Sequence, residues 1–519
     1  MNLLKSVVTV GGLTLVSRVL GFVRDIMIAA LMGVGTVADA WAVAFRFPNL
    51  FRRLFGEGAF NSAFVPIYAK RYEGEGEASA DRFAEAILSV LLTILLGVTA
   101  IIQIAMPWIM VVYAPGFVSD PAKLELATQL TIVAFPYLIF MSLSALYAGI
   151  LNTHGRFGWA TAVQALLNVG LIIAMLVVWT ISAPAMGSSL WGWGLAWGVA
   201  ASGAAQFVFL VLACARDGIV LRLRRPRLTP DVKHLFALAV PGIIAGGVSQ
   251  ISIFVATVVA SLQDGAPAIL YYADRVYQFP LGIIGVAMGV VLLPSLSRHL
   301  RGERLDLARY WQNRGIELSM LLTLPAAVAL VTISQPIVVA LFERGAFTRE
   351  DSVAVANVLI AFGFGLPAFI LNKVLTPAYF AREDTATPMR FAVVTLAMDV
   401  AMSVGFFFLI GVAGIAIGTS VAAWINVILL WTTLRRRGHV EVDDRLRERM
   451  PRIAAASLAM GAGLLALEWG LAPVVGTGAL APFLLLGALC GAGLGVYVVC
   501  ALAIRAATIG ELRQALLRG

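Results

Sequence analysis

From Val7 to Ile504 the chain is a succession of apolar stretches, each as long as a bilayer is thick and parted by short polar runs. A helix needs about 20 apolar residues to cross the hydrocarbon layer. On that measure spans are expected at 7–33, 37–69, 83–113, 124–152, 158–183, 190–215, 234–262, 267–298, 310–342, 352–380, 386–410, 413–434, 451–471 and 481–506, fourteen in all. Composition agrees: 60% of residues are hydrophobic and 13% charged, with a mean hydropathy of +0.91. A soluble chain is nearer half apolar and a quarter charged. The sequence therefore reads as an all-α polytopic membrane protein, which excludes soluble enzymes and nucleic-acid binders. Met1–Lys5 runs into a span that itself carries arginines and has no small-residue cleavage site, so that span is expected to be retained. Cys214, Cys490 and Cys500 form no CxxC and read as small apolar residues.

The loops set an orientation. Loops 2, 4, 6, 8, 10 and 12 carry Lys70, Arg71 and Arg82; Arg156; Arg222, Arg224, Arg225 and Arg227; Arg298, Arg301 and Arg304; Arg382 and Arg390; and Arg435, Arg436, Arg437, Arg445 and Arg447. Loops 1, 5, 7, 11 and 13 carry no Lys or Arg, loop 3 only Lys123, and loop 9 Arg344 and Arg349 beside three acids. Basic residues accumulate on the cytoplasmic side. An even number of spans with both termini cytoplasmic is expected, and most of the +9 net charge belongs to topology rather than to a nucleic-acid partner.

A shift of about 230 residues aligns several landmarks: Phe47-Pro48 with Phe279-Pro280, Pro66 with Pro294, Pro107, Gly116 and Phe117 with Pro336, Gly345 and Phe347, Pro136 with Pro367, and Ser17-Arg18 with Ser249-Gln250. Six spans per repeat is an even number, so the halves share one orientation, as in transporters built from parallel repeats that bind cargo between them. The expected organisation is a first lobe over 1–220, a second over 221–436, and two extra spans in 437–519.

Charges inside spans are the informative ones. The first span has Arg18, Arg24 and Asp25; the second has Asp39, Arg46, Arg52, Arg53 and Glu57; the eighth has Asp274 and Arg275. Such a charge costs at least about 2.5–3.5 kcal/mol at the bilayer centre and persists where it meets a partner or a wet cavity. Some pair locally: Arg24 with Asp25, Arg53 with Glu57, Asp274 with Arg275. Yet the arginines outnumber the acids, and arginine's fork suits phosphate or carboxylate. An anionic cargo in a cavity lined from both halves is the expectation. Pro48, Pro66, Pro136, Pro280, Gly285, Gly289 and Pro367 supply kinks or close packing. Asp399, Glu317, Glu468 and Lys373 stand as isolated charges, with Asp399 and Lys373 as candidates for ion coupling. The chain has no GxxxxGK[ST], HExxH or GxSxG, so neither an ATP site nor a metal or other cofactor is indicated. Energy is then expected from an ion gradient, the membrane potential, the cargo's own gradient or a partner.

Ser17-Arg18-Val19-Leu20-Gly21-Phe22 with Arg24-Asp25, Asp39-Ala40, Pro48-Asn49-Leu50, Arg52-Arg53-Leu54-Phe55, Glu57-Gly58-Ala59-Phe60 and Ala63-Phe64-Val65-Pro66 resemble the start of the MurJ (MviN) family. So do Ala114-Pro115-Gly116-Phe117, Gly149-Ile150-Leu151-Asn152, Tyr271-Tyr272-Ala273-Asp274-Arg275, Leu293-Pro294-Ser295 and Lys373-Val374-Leu375 with Pro377. The likeness is strongest over residues 1–300 and only positional for the last two spans.

The resemblance implies a MATE-like fold of the multidrug/oligosaccharidyl-lipid/polysaccharide (MOP) superfamily. It implies a flippase that moves lipid II, the undecaprenyl-pyrophosphate-linked precursor of peptidoglycan, across the bacterial cytoplasmic membrane without enzymatic chemistry. It places Arg18, Arg24, Arg52 and Arg275 at a cationic cavity that an acid matching Asp39 also faces; Asp25, Asp39, Arg46, Arg53, Glu57, Asp274 and Gln250 are then expected as supporting or gating residues. It makes the last two helices a groove for the lipid tail, and suggests membrane lipids and cell-wall synthesis proteins as partners. Gln278 stands where some relatives have Glu, and the sodium-binding acids of some relatives are not recognisable around Asn372 and Thr376. The residues themselves leave room for an exporter of another polyprenyl-pyrophosphate glycan. A multidrug exporter fits less well, because such cargo is usually cationic. A polymerase would need a large outer loop that the chain does not offer.

Overall fold

The computed structural model describes residues 3–55, 59–302, 304–471, 478 and 480–508; within these, the side chains of 3–10, 53–55, 59, 62, 241–246, 248–249, 286–291 and 301 are not described. The described residues form helices and short turns: α1 Leu3–Met32, α2 Thr36–Phe55, α3 Ala59–Glu75, α4 Glu77–Tyr113, α5 Pro121–Ala134, α6 Tyr137–Thr153, α7 Phe157–Ser182, α8 Ser189–Arg216, α9 Pro230–Ala260, α10 Ala266–Arg301, α11 Leu305–Thr332, α12 Ser334–Phe342, α13 Arg349–Phe380, α14 Ala386–Ile410, α15 Val412–Arg436, α16 Asp444–Leu471 and α17 Ala481–Ala503. A single 3₁₀ turn, Pro115–Ser119, follows α4.

Ten of these segments are long and apolar enough to cross a membrane: α4, α5 with α6, α7, α8, α11, and α13 to α17. Helices also follow the other expected stretches, as α1, as α2 with α3, as α9 and as α10. Among the described residues, two spans expected to be continuous are broken, and proline explains both breaks. Pro136 has no N–H for the carbonyl of Ile132, so α5 stops and α6 restarts. The Ile132 carbonyl accepts instead from Gln103 Nε2 on α4 at 2.8 Å. In the same way Pro336 leaves the Thr332 carbonyl without a ladder partner, and α11 ends at Thr332. Helix starts are set by side chains: Asp120 accepts from the Lys123 N–H, Thr229 from that of Val232, and Thr348 with Asp351 forms a capping box.

The chain divides into two units, Met1–Ala268 with Arg344–Phe347, and Ile269–Glu343 with Thr348–Gly519. In the first, α7 packs on α8 and α1, α6 on α8, and α2 on α5. In the second, α15 packs on α13 and α14, and α11 on α13 and α16. The most enclosed apolar windows are those of α13 (67% buried) and of α5 with α6 (61%); α7 and α17 (17% each) are the most open, and their bare apolar faces suit lipid.

Two glycines that share the repeat offset make matching contacts inside the first unit. A Cβ at Gly116 would lie 1.9 Å from the Ser261 carbonyl oxygen, just past α9, and one at Gly345 would lie 2.2 Å from the Ala30 carbonyl oxygen, near the end of α1. Gly345 also has φ +62, a left-handed conformation that favours glycine. Hydrogen bonds hold both approaches: Gly116 N–H donates to Ser261 Oγ at 3.1 Å, and Ala346 N–H to the Ala30 carbonyl at 2.8 Å.

Candidate functional site

Arg24 sits in the last third of α1, one position before Asp25, and both are buried. Its Nε and Nη2 donate to Asp25 Oδ1 at 2.9 and 2.7 Å, and its Nη1 donates to Asn168 Oδ1 on α7 at 2.7 Å. Asn168 Nδ2 in turn donates to the Ser17 carbonyl at 2.8 Å, tying α7 back to α1. The guanidinium also lies 5.9 Å from the centre of the Phe45 ring. The local pairing expected from sequence is therefore present. Three of the five N–H donors of Arg24 are engaged in these bonds, two of them on Asp25.

Asp39, in the first turn of α2, is fully buried. Its Oδ2 accepts from Lys123 Nζ at 2.7 Å and from the Gly265 N–H at 2.8 Å, and its Oδ1 accepts from the Ala268 N–H at 3.0 Å. The carboxylate thus caps the start of α10 from outside that helix, where free N–H groups and the helix dipole favour an anion. Lys123 is 2% exposed, lies 4.6 Å from the Phe117 ring centre, and also donates to Asp264 at 2.9 Å. By sequence alone Lys123 counts as a loop charge. The available signal was its position as the only base in loop 3, on the side where the positive-inside bias removes bases.

The other first-unit arginines differ in setting. Arg18 is half-buried on α1 and has no hydrogen-bond partner among the described residues. Arg46, half-buried on α2, is 3.5 Å from Thr257 Oγ1 of α9. Arg52 donates from Nε to Asn49 Oδ1 at 2.7 Å, one turn back on α2. Gln250 is half-buried on α9. The Arg53 side chain and Glu57 lie outside the described residues.

In the second unit, Asp274 and Arg275 are half-buried on α10. Asp274 accepts from Gln278 Nε2 one turn on, so the amide at this position steadies the carboxylate where a second acid would repel it. The Arg275 guanidinium stacks 4.8 Å from the centre of the Tyr271 ring. Lys373 on α13 is exposed from the protein, and its stem crosses Gly285 of α10, where a Cβ would lie 2.6 Å from Lys373 Cδ. Lys373 has no hydrogen-bond partner among the described residues. Glu317 is not isolated: Arg314, Arg445 and Arg449 all bond it, the last two at 3.0 and 2.6 Å, fastening α16 to α11.

Comparison with known proteins follows the same lines. Residues 28–483 match the family model "Lipid II flippase MurJ". A probable lipid II flippase MurJ of Rhizobium meliloti (strain 1021) is 44% identical over 524 residues, covering 100% of this chain and 97% of its own length. The lipid II flippase MurJ of Burkholderia cenocepacia is 36% identical over 445 residues, covering 84% and 85%. The solved structure of a lipid II flippase MurJ in an inward closed conformation superposes with a TM-score of 0.78 at 25% identity, over 95% of this chain and 98% of that one. A MATE family multidrug transporter of the MOP superfamily, inward-facing, superposes with a TM-score of 0.67 at 15% identity over 82% and 95%, a likeness of fold alone.

Proposed function

The chain belongs to the lipid II flippase MurJ family, and from that premise we propose that it carries lipid II from the cytoplasmic to the outer leaflet of the bacterial inner membrane. The observation that carries the reading is the excess of arginine inside α1, α2 and α10: Arg18 stands without a hydrogen-bond partner among the described residues, and the Arg275 guanidinium lies over the Tyr271 ring. A pyrophosphate supplies the charge these groups call for.

In this reading the chain comprises six-span lobes at 1–220 and 221–436, and Arg18, Arg24, Arg52 and Arg275 serve the pyrophosphate. The spans number fourteen, with both termini cytoplasmic. Asp25 competes with the cargo for Arg24, so that arrival of an anion and release of the Asp25 pair are one event. Asp39 holds the start of α10 through Lys123 and two backbone N–H groups, and its release accompanies opening at that end. Residues 437–519 guide the polyprenyl tail along α16 and α17. The protein acts as a transporter and not as an enzyme, and cell-wall synthesis proteins are its expected neighbours.

The test is complementation. In a strain depleted of its own flippase, wild-type chain restores growth and lipid II export, while Arg275→Ala, expressed to the same level in the membrane, restores neither. Full rescue by Arg275→Ala contradicts the reading.

A further inference from the structure

The arginines of loop 12 do more than set orientation. The ends of α11, α15 and α16 enclose an open cavity of about 530 Å³ within the second unit, lined by Arg309, Trp431, Arg435, Glu441, Val442 and Arg447 among others. Trp431 and Arg435 are four apart on α15 and share a face. Arg447 lies in the first turn of α16 and Arg309 in the second turn of α11, so two helix N-termini add their partial positive charge. Arg309 is held in position, donating to Glu441 Oε2 at 2.8 Å and to the Gly438 carbonyl at 3.1 Å. Arg435 and Arg447 have no partner among the described residues and are exposed.

The acids nearby are Glu441, which lines the cavity and is bonded by Arg309, Asp306 and Asp444 in the first turns of α11 and α16, and two that other arginines hold. Asp443 is bonded by Arg314, and Asp384 by Arg437 at 2.6 Å. Burial, then Arg309, lowers the pKa of Arg382, and burial, then Arg382 and Arg437 against the opposing Asp384, lowers that of His439. Val440, Val442 and Trp431 give the cavity an apolar flank, and Trp favours the level of lipid headgroups.

We propose that this cavity binds the phosphate ester of a lipid headgroup, with Arg435 and Arg447 gripping the phosphate, Arg309 fixing its floor, and Trp431 beside the first carbons of the lipid. Basic pockets of this kind between spanning helices bind anionic headgroups. The site is separate from the arginines of α1, α2 and α10, and a chain that translocates nothing can still bind here.

The test uses the full chain in phosphatidylcholine nanodiscs, titrated separately with polyprenyl pyrophosphate, cardiolipin and inorganic pyrophosphate, with bound ligand counted by native mass spectrometry. Arg435→Gln with Arg447→Gln is expected to weaken binding of at least one of them about tenfold, the loss of two charge-assisted grips. Arg436→Gln, outside the cavity, leaves it within about twofold. The probe that responds identifies the source: the lipid-linked pyrophosphate, bulk anionic lipid or the free anion. Both replaced side chains are exposed, so the unfolding temperature should not change and a folding defect is recognised directly. Unchanged binding of all three probes by the double variant overturns the proposal, as does an equal loss in Arg436→Gln.

Discussion

Replacing Lys123 by Met leaves the Asp39 carboxylate buried with only two backbone donors, and removes the cation that holds α5 to α2. Stripping one partner from a buried pair costs about 3–5 kcal/mol. Asp264→Asn removes the other carboxylate on Lys123, but that side chain is 99% exposed, so the expected cost is below about 1 kcal/mol. Thermal unfolding of the two variants in detergent checks the contrast, and equal shifts contradict it. A second residue offers a pH test. Burial, then Arg382 and Arg437, hold His439 below the ordinary 6.5. The unfolded chain therefore takes up a proton near 6.5 that the folded chain resists. This contribution to stability is present above that pH and is lost as pH falls below it. His439→Gln is expected to flatten the fall in unfolding temperature between pH 7 and pH 5; an unchanged slope rules the assignment out.

Glycine contacts and helix junctions belong to the scale of elements. Gly116→Ala and Gly345→Ala each drive a methyl into a backbone carbonyl that cannot swing aside, so each should destabilise by about 1–3 kcal/mol and slow translocation. Gly97→Ala on α4, with nothing within 4 Å, should be neutral or stabilising by up to about 1 kcal/mol. A neutral Gly116→Ala would show that the close approach is not maintained in the membrane. Within the second unit the two last helices are joined to α11 by a different device. Gly461 brings α16 against Val328 of α11, and Tyr497 of α17 donates to the Leu321 carbonyl at 2.6 Å. Ile453, Met460, Leu464 and Leu489 fill the space between. Tyr497→Phe leaves that packing in place and removes one hydrogen bond, a loss of about 1 kcal/mol readable as a small drop in unfolding temperature.

At the scale of the whole molecule, the sequence placed helices well because apolar runs of bilayer length admit little else. It placed helix breaks less well: Pro136 and Pro336 break their spans, while Pro107 and Pro367 sit within continuous helices. The charges divide in the same way. Arg24 with Asp25 was legible because the partners are adjacent, whereas Asp39 with Lys123, and Glu317 with Arg445 and Arg449, join residues far apart in the chain that only the fold brings together. The small charged fraction therefore separates into loop arginines, structural pairs, and a remainder to which the proposal assigns an anion.

That remainder is what the central claim depends on, and reconstituted transport tests it most directly. Purified chain in proteoliposomes should move lipid II between leaflets at a rate that Arg18→Ala and Arg275→Ala each reduce by at least about tenfold, as expected for loss of a charge-assisted contact to the cargo. Transport of lipid II at the wild-type rate by both variants would contradict the account.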